Sequence, residues 1–156
     1  MYGFAKNGTY VVTDIISELP DYNPPWNEIE GILERSIRIA IVGLSPRDER
    51  DSHKVAKYLM ENGYEIVPVN PGQKEILGQK CYKTLEDIPS PVDVADLFLN
   101  STRVPAVVDQ AINKGISVIW MQLGVIHHEA AKKAREAGVT VVMDLCMKEE
   151  HEKLRA

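Results

Sequence analysis

From Arg38 onward, short apolar runs alternate with amphipathic stretches. The runs at 39–42, 65–69, 94–99, 117–121 and 139–143 have the length and β-branched content of buried strands. Between them, Val104, Val107, Val108, Ala111 and Ile112 recur at the spacing of one helix face, with Gly115 just beyond, where a left-handed cap is expected. Val55, Ala56, Leu59 and Met60 close in the same way at Gly63, and Ala130, Ala131, Ala134 and Ala137 at Gly138. Strands that are apolar almost throughout, alternating with helices, predict a parallel sheet covered on both faces. The expected fold is therefore doubly wound and Rossmann-like, with three layers, α/β/α.

The first 35 residues differ in texture. Val11, Val12, Ile15, Ile16 and Leu19 repeat at helical spacing, and Pro20, Pro24 and Pro25 then break the pattern. A second short helix, with Trp26, Ile29, Ile32 and Leu33 on one side, leads into the regular part. Residues 1–35 read as a helical N-terminal arm packed on a single domain over 36–156.

Composition narrows the partners. A chain of 156 residues has room for one core. With 18 Lys and Arg against 23 Asp and Glu, its net charge of −5 disfavours nucleic acid and anionic membrane, which reward clustered basic residues. The apolar stretch at 116–126 falls far short of the ~20 residues that span a bilayer, and the N-terminus has no basic region followed by an apolar one. A cytoplasmic location is expected. Cys81 and Cys146 are too few and too far apart for a stapled fold or a cysteine zinc site, so both read as thiols in a reducing compartment.

In an open parallel sheet, ligands bind outside the carboxyl ends of the strands. The residues that follow the five predicted strands begin at Gly43, Asn70, Asn100, Gln122 and Asp144, and each group offers a small or hydrogen-bonding side chain. The first of these loops lacks the GxGxxG of a dinucleotide site, and the second strand ends in Val69-Asn70-Pro71 without the acid that holds ribose hydroxyls. The first loop nonetheless opens a helix, whose N-terminus favours anions. It carries Arg47 and Arg50, with Lys54 one turn on, and together with Lys74 these offset a polyanionic cofactor locally. The same arginines are also placed to pair with Asp48, Glu49 and Asp51 on a solvated loop.

Five segments in order carry a resemblance. They are Gly43-Leu44-Ser45-Pro46, Ser52-His53-Lys54-Val55-Ala56-Lys57-Tyr58-Leu59, Val69-Asn70-Pro71, Trp120-Met121-Gln122-Leu123-Gly124-Val125 and Val142-Met143-Asp144-Leu145-Cys146-Met147. Over residues 35–154 the chain resembles the small stand-alone CoA-binding proteins, which are themselves similar to the nucleotide-binding domain of the succinyl-CoA synthetase alpha subunit. The resemblance implies coenzyme A or an acyl-CoA as ligand. It implies that Gly43, Ser45, Pro46, Arg47, Arg50, Ser52 and His53 surround the phosphates, and that Val69, Asn70, Pro71 and Lys74 lie near the adenosine. Leu99, Asn100, Gln122 and Leu123 would line the pantetheine path. The synthetase has a glycine-rich first loop and a second domain with a phosphorylated histidine, and neither is found here, so ligase activity is not expected.

The remaining candidates are few. His127-His128-Glu129 lacks the second histidine of HExxH, since position 132 is Lys132, so no metal site is expected. Cys146 stands just past the last strand, either as an inert buried thiol or as a redox thiol that meets the thiol of the cofactor. The first functional expectation is a non-catalytic module that stores, senses or presents CoA. The alternatives are an NAD(P)-dependent oxidoreductase with a divergent fingerprint, and a structural subunit with a vestigial cleft. A homodimer and an unidentified protein partner are both compatible with the sequence.

Overall fold

The computed structural model describes residues 22–155, so the helix expected around Val11–Leu19 lies outside the described residues. The chain divides after Arg35 into two units. In the first, α1 (Trp26–Arg35) follows Pro25, whose carbonyl accepts the N–H groups of Glu28 and Ile29. Ile29, Ile32 and Leu33 form its buried stripe.

The second unit holds a five-stranded parallel sheet. Its strands are β1 (Arg38–Val42), β2 (Glu65–Val69), β5 (Val94–Leu97), β6 (Val118–Met121) and β7 (Thr140–Val142), in the order β2-β1-β5-β6-β7. Between β2 and β5, β3 (Glu75–Ile76) and β4 (Gln79–Lys80) make a small antiparallel hairpin, which the apolar periodicity does not predict. The helices are α2 (Asp51–Glu61), α3 (Val104–Lys114), α4 (His128–Glu136) and α5 (Met147–Leu154). Helix α2 meets α5, and α3 meets α4. Because β1-α2-β2 winds one way and β5-α3-β6-α4-β7 the other, right-handed crossovers put these pairs on opposite faces. The doubly wound, Rossmann-like three-layer fold is thus present.

Local chemistry explains the boundaries. Every residue of β5 and β6 is buried, as expected for central strands covered on both sides. Pro68 has no N–H to give a ladder, and β2 is an edge strand, where that absence is tolerated. Its carbonyl accepts the N–H of Tyr82 at 3.0 Å, and Tyr82 in turn accepts from the N–H of Asn70 at 2.9 Å. Helix α3 ends at Gly115 with φ of 81°, a left-handed cap whose N–H reaches the carbonyls of Ala111 and Ile112.

The winding direction reverses between β1 and β5. Their carboxyl ends, Gly43 and Phe98, are therefore the first place to look for a site.

Candidate functional site

Gly43 leaves β1 with φ of 86°, and its N–H donates to the carbonyl of Val69 at 2.9 Å. A Cβ at this position would overlap the carbonyl oxygen of Phe98 and come within 3.3 Å of Leu99 Cδ2. The loop beyond is tied to itself. The N–H of Ser45 donates to Ser52 Oγ at 3.0 Å, and Ser45 Oγ accepts from the N–H of Arg47 at 3.1 Å. The carbonyl of Ser45 accepts from His53 Nδ1 at 3.0 Å, which fixes the proton on Nδ1 because a carbonyl can only accept. With Leu44 fully buried beneath it, the loop is preformed.

Asn70 braces the next loop. Its amide nitrogen donates to the carbonyl of Leu44, and its Oδ1 accepts from the N–H of Gly72, both at 2.8 Å. At the far end of the sheet, Gln122 is buried and its Oε1 accepts the N–H of Met147, the first residue of α5. Asp144 Oδ1 accepts from the N–H of Gly124 at 2.7 Å, and Trp120 Nε1 donates to the carbonyl of Leu145 at 2.8 Å. These bonds cross-link the loops after β6 and β7, a relationship no local pattern displays.

Among the described residues, three cavities lie along this edge of the sheet. One of about 510 Å³ runs from Val69, Asn70 and Pro71 past Gly43 and Leu99, with Lys83, Thr84, Arg103 and Gln110 also on its walls. A second, of about 280 Å³, is lined by Gly43, Ser45, Arg50, Ser52 and Leu99 on one side and by Phe98, Gln122 and Leu123 on the other. The third, of about 220 Å³, continues past Phe98, Gln122 and Leu123 to Val55, Lys54 and Cys146. Gly43 and Leu99 belong to the first two cavities, and Phe98, Gln122, Leu123 and Asp51 to the last two, so neighbouring cavities share walls.

Most of the residues picked from sequence meet here, but five do not. Pro46, Arg47, His53, Lys74 and Asn100 are not on these walls. Arg47 reaches Glu49 at 2.6 Å, and the backbone N–H of Glu49, helped by that guanidinium, holds the carboxyl below its usual range. His53 supports the loop through Ser45, and Asn100 caps the 3₁₀ turn Ser101–Arg103 by accepting from the N–H of Thr102 at 3.0 Å. His127 is the cap of α4, its Nδ1 accepting from the N–H of Ala130 at 3.1 Å. Cys146 is buried at the start of α5. Burial pushes its thiol up, opposed by the backbone N–H of Glu149 and the side chain of Gln122.

Lys83, Arg103, Phe98 and Lys148 line the cavities although the sequence reading did not single them out. Arg103 stands one residue past Asn100-Ser101-Thr102, which a longer look beyond the third strand would have included. Lys83 has no such signal, because its segment joins the site through the isolated bridge between Val69 and Tyr82.

Comparison with known proteins bears on this cleft. A family model described as a CoA binding domain matches residues 37–152. An uncharacterized protein of Bacillus subtilis, YneT, is 44% identical over 129 residues, covering 83% of this chain and 96% of that protein. A hypothetical protein from Pyrococcus horikoshii superposes with a TM-score of 0.85 at 45% identity, covering 88% of this chain and 96% of its own. The acetate–CoA ligase (ADP-forming) of Methanocaldococcus jannaschii is 32% identical over 78 residues, half of this chain but only 11% of the enzyme.

Proposed function

The chain belongs to the CoA binding domain family, and from that membership we propose that the three adjoining cavities hold one molecule of coenzyme A or acyl-CoA without transforming it. The observation that carries this reading is the sharing of walls. A ligand with a nucleotide at one end, a diphosphate in the middle and a thin thiol-bearing arm needs a wide cavity, a loop of hydrogen-bond donors and a narrow continuation, in that order.

The nucleotide end goes to the cavity beside Val69, Asn70 and Pro71. The diphosphate goes to the cavity of Gly43, Ser45, Arg50 and Ser52, where the start of α2 favours an anion and Arg50 offsets Asp51 on the same wall. A residue with a Cβ at position 43 would hold the ends of β1 and β5 apart, so glycine fits such a cradle. Leu99, Gln122 and Leu123 then line the pantetheine arm, whose thiol points toward Cys146.

None of the three cavities has a histidine on its wall, and the one near the loop, His53, is committed to a backbone carbonyl. From the ligases we carry over coenzyme A as ligand and not the ligation, since this chain matches so little of the enzyme. Among the described residues no helix is long and apolar enough to cross a membrane.

Calorimetric titration with CoA, acetyl-CoA, NAD and NADP side by side tests the proposal. Saturable heat from CoA or acetyl-CoA is expected. Heat from NAD with none from either CoA form would overturn the reading and return the oxidoreductase alternative.

A further inference from the structure

The 510 Å³ cavity differs from its neighbours in charge. It has two cations, Lys83 and Arg103, and no carboxylate on its walls, whereas the other two both include Asp51 and the third also has Glu149. Neither cation forms an ion pair among the described residues, unlike Arg47 with Glu49 or Lys153 with Glu150. In a chain with 23 acidic residues and a net charge of −5, an acid-free cavity holding two cations is a local reversal of the overall field.

The two cations come from separately anchored segments. Lys83 follows Tyr82, which is hydrogen-bonded to Pro68 and Asn70 at the end of β2. Two residues after Lys83, the N–H of Leu85 donates to Gln110 Oε1 on α3 at 3.2 Å. The backbone around Lys83 and Thr84 is therefore held on both sides. Arg103 immediately precedes α3, with its N–H on the carbonyl of Asn100 at 2.9 Å. The side chains start from fixed points, which lowers the entropy cost of converging on one anion.

Position says which anion. In doubly wound folds the end of the second strand receives the ribose, where an acid binds free hydroxyls and a basic residue accommodates a ribose phosphate. Here the strand-end residue is the neutral Asn70, and Lys83 and Arg103 stand beside it in the same cavity.

We propose that this cavity selects a ribose bearing its own phosphate, and that Lys83 and Arg103 are the specificity-determining residues that hold that phosphate. The inference rests on the binding of coenzyme A argued above, for which the group is the 3′-phosphate; the 2′-phosphate of NADP offers the same chemistry from another source.

Calorimetry with CoA against dephospho-CoA, and NADP against NAD, separates these cases. The wild-type protein should bind CoA about tenfold or more tightly than dephospho-CoA, the scale of a charge-assisted contact. Lys83→Ala with Arg103→Ala should erase that preference and leave dephospho-CoA affinity within about threefold, which also reports that the variant is folded. Lys57→Ala, an exposed lysine of α2 away from the cavity, should leave the preference intact. Equal affinity for CoA and dephospho-CoA in the wild type, or a preference that survives the double substitution, overturns the inference while leaving CoA binding standing. A preference for NADP over NAD with no binding of either CoA form supports phosphate selection and assigns it to the other source. Absence of binding by all four overturns both readings.

Discussion

Gly43 lies so close to Phe98 that a methyl group at residue 43 would overlap the carbonyl oxygen of Phe98 and stand 3.1 Å from its carbonyl carbon. The obstacle is backbone, which cannot rotate aside, at the point where the winding of the sheet reverses. Gly43→Ala should therefore destabilise the fold by about 2–4 kcal/mol, adding the left-handed backbone cost to the clash, and should weaken CoA binding at least tenfold. Gly115→Ala separates the two causes, because φ is 81° there and nothing lies within 4 Å of the added Cβ. It should cost only about 1–2 kcal/mol. Urea denaturation of both variants checks this, and equal losses would mean that the approach to Phe98 is not what demands glycine.

Asn70→Asp keeps the acceptor for the N–H of Gly72 but turns a carboxylate oxygen toward the carbonyl of Leu44, where the amide now donates. The loops after β1 and β2 should separate at a cost of about 1–3 kcal/mol. CoA affinity should fall by at least a further kcal/mol or so from charge alone. Binding of NAD should not appear in exchange. A variant as stable as the wild type with unchanged CoA affinity would take Asn70 out of both roles.

Asp96 sits in mid-strand between Ile41 and Trp120, fully buried, with neither carboxylate oxygen hydrogen-bonded among the described residues. Burial raises its carboxyl well above the ordinary value. A raised acid keeps its proton in the folded state where the unfolded chain releases it. Stability is then greatest below the unfolded pKa and declines as pH rises toward the folded one, by up to about 1.4 kcal/mol per pH unit. Asp96→Asn should remove that slope. Unfolding free energies between pH 4 and pH 7 should converge for the two proteins at the acid end and diverge toward neutrality. Parallel curves would show that Asp96 is ionised or partnered in the fold.

Cys146 should form a mixed disulfide when CoA disulfide is supplied. Its thiolate attacks one sulfur, and a CoA thiolate leaves. Because burial pushes the thiol up, the reaction should be slow at neutral pH and accelerate toward pH 9. Cys81 is buried as well but lies on none of the three cavity walls, so the adduct should appear on Cys146 and not on Cys81. Mass spectrometry of digested protein reads this directly. The absence of a CoA-sized adduct on Cys146 would remove the thiol from the end of the pantetheine path.

Elements and site residues were legible to different degrees. The stripe from Val104 to Ile112 and its cap at Gly115 announce α3, because helix periodicity and capping are set by neighbours in the chain. The runs that became β5 and β6 read as buried strands for the same reason, and Gly43, Asn70 and Gln122 could be picked out as strand-end residues. The β3–β4 hairpin escaped because two-residue strands carry no period. Asp96 was absorbed into an apolar run, since a single carboxyl does not disturb a six-residue pattern.

By itself, then, the sequence determined the alternation of strand and helix, the parallel class of the sheet and the resemblance to CoA-binding proteins, all of which depend on local spacing and short motifs. Only the tertiary structure decided which strand ends share a cavity. It also paired Arg47 with Glu49 at the surface, and it brought Lys83, separated from Asn70 by the β3–β4 hairpin and from Arg103 by β5, into one cavity with both. The physical reason is that a cavity is made by long-range packing. Its charge is a sum over residues that no local window contains.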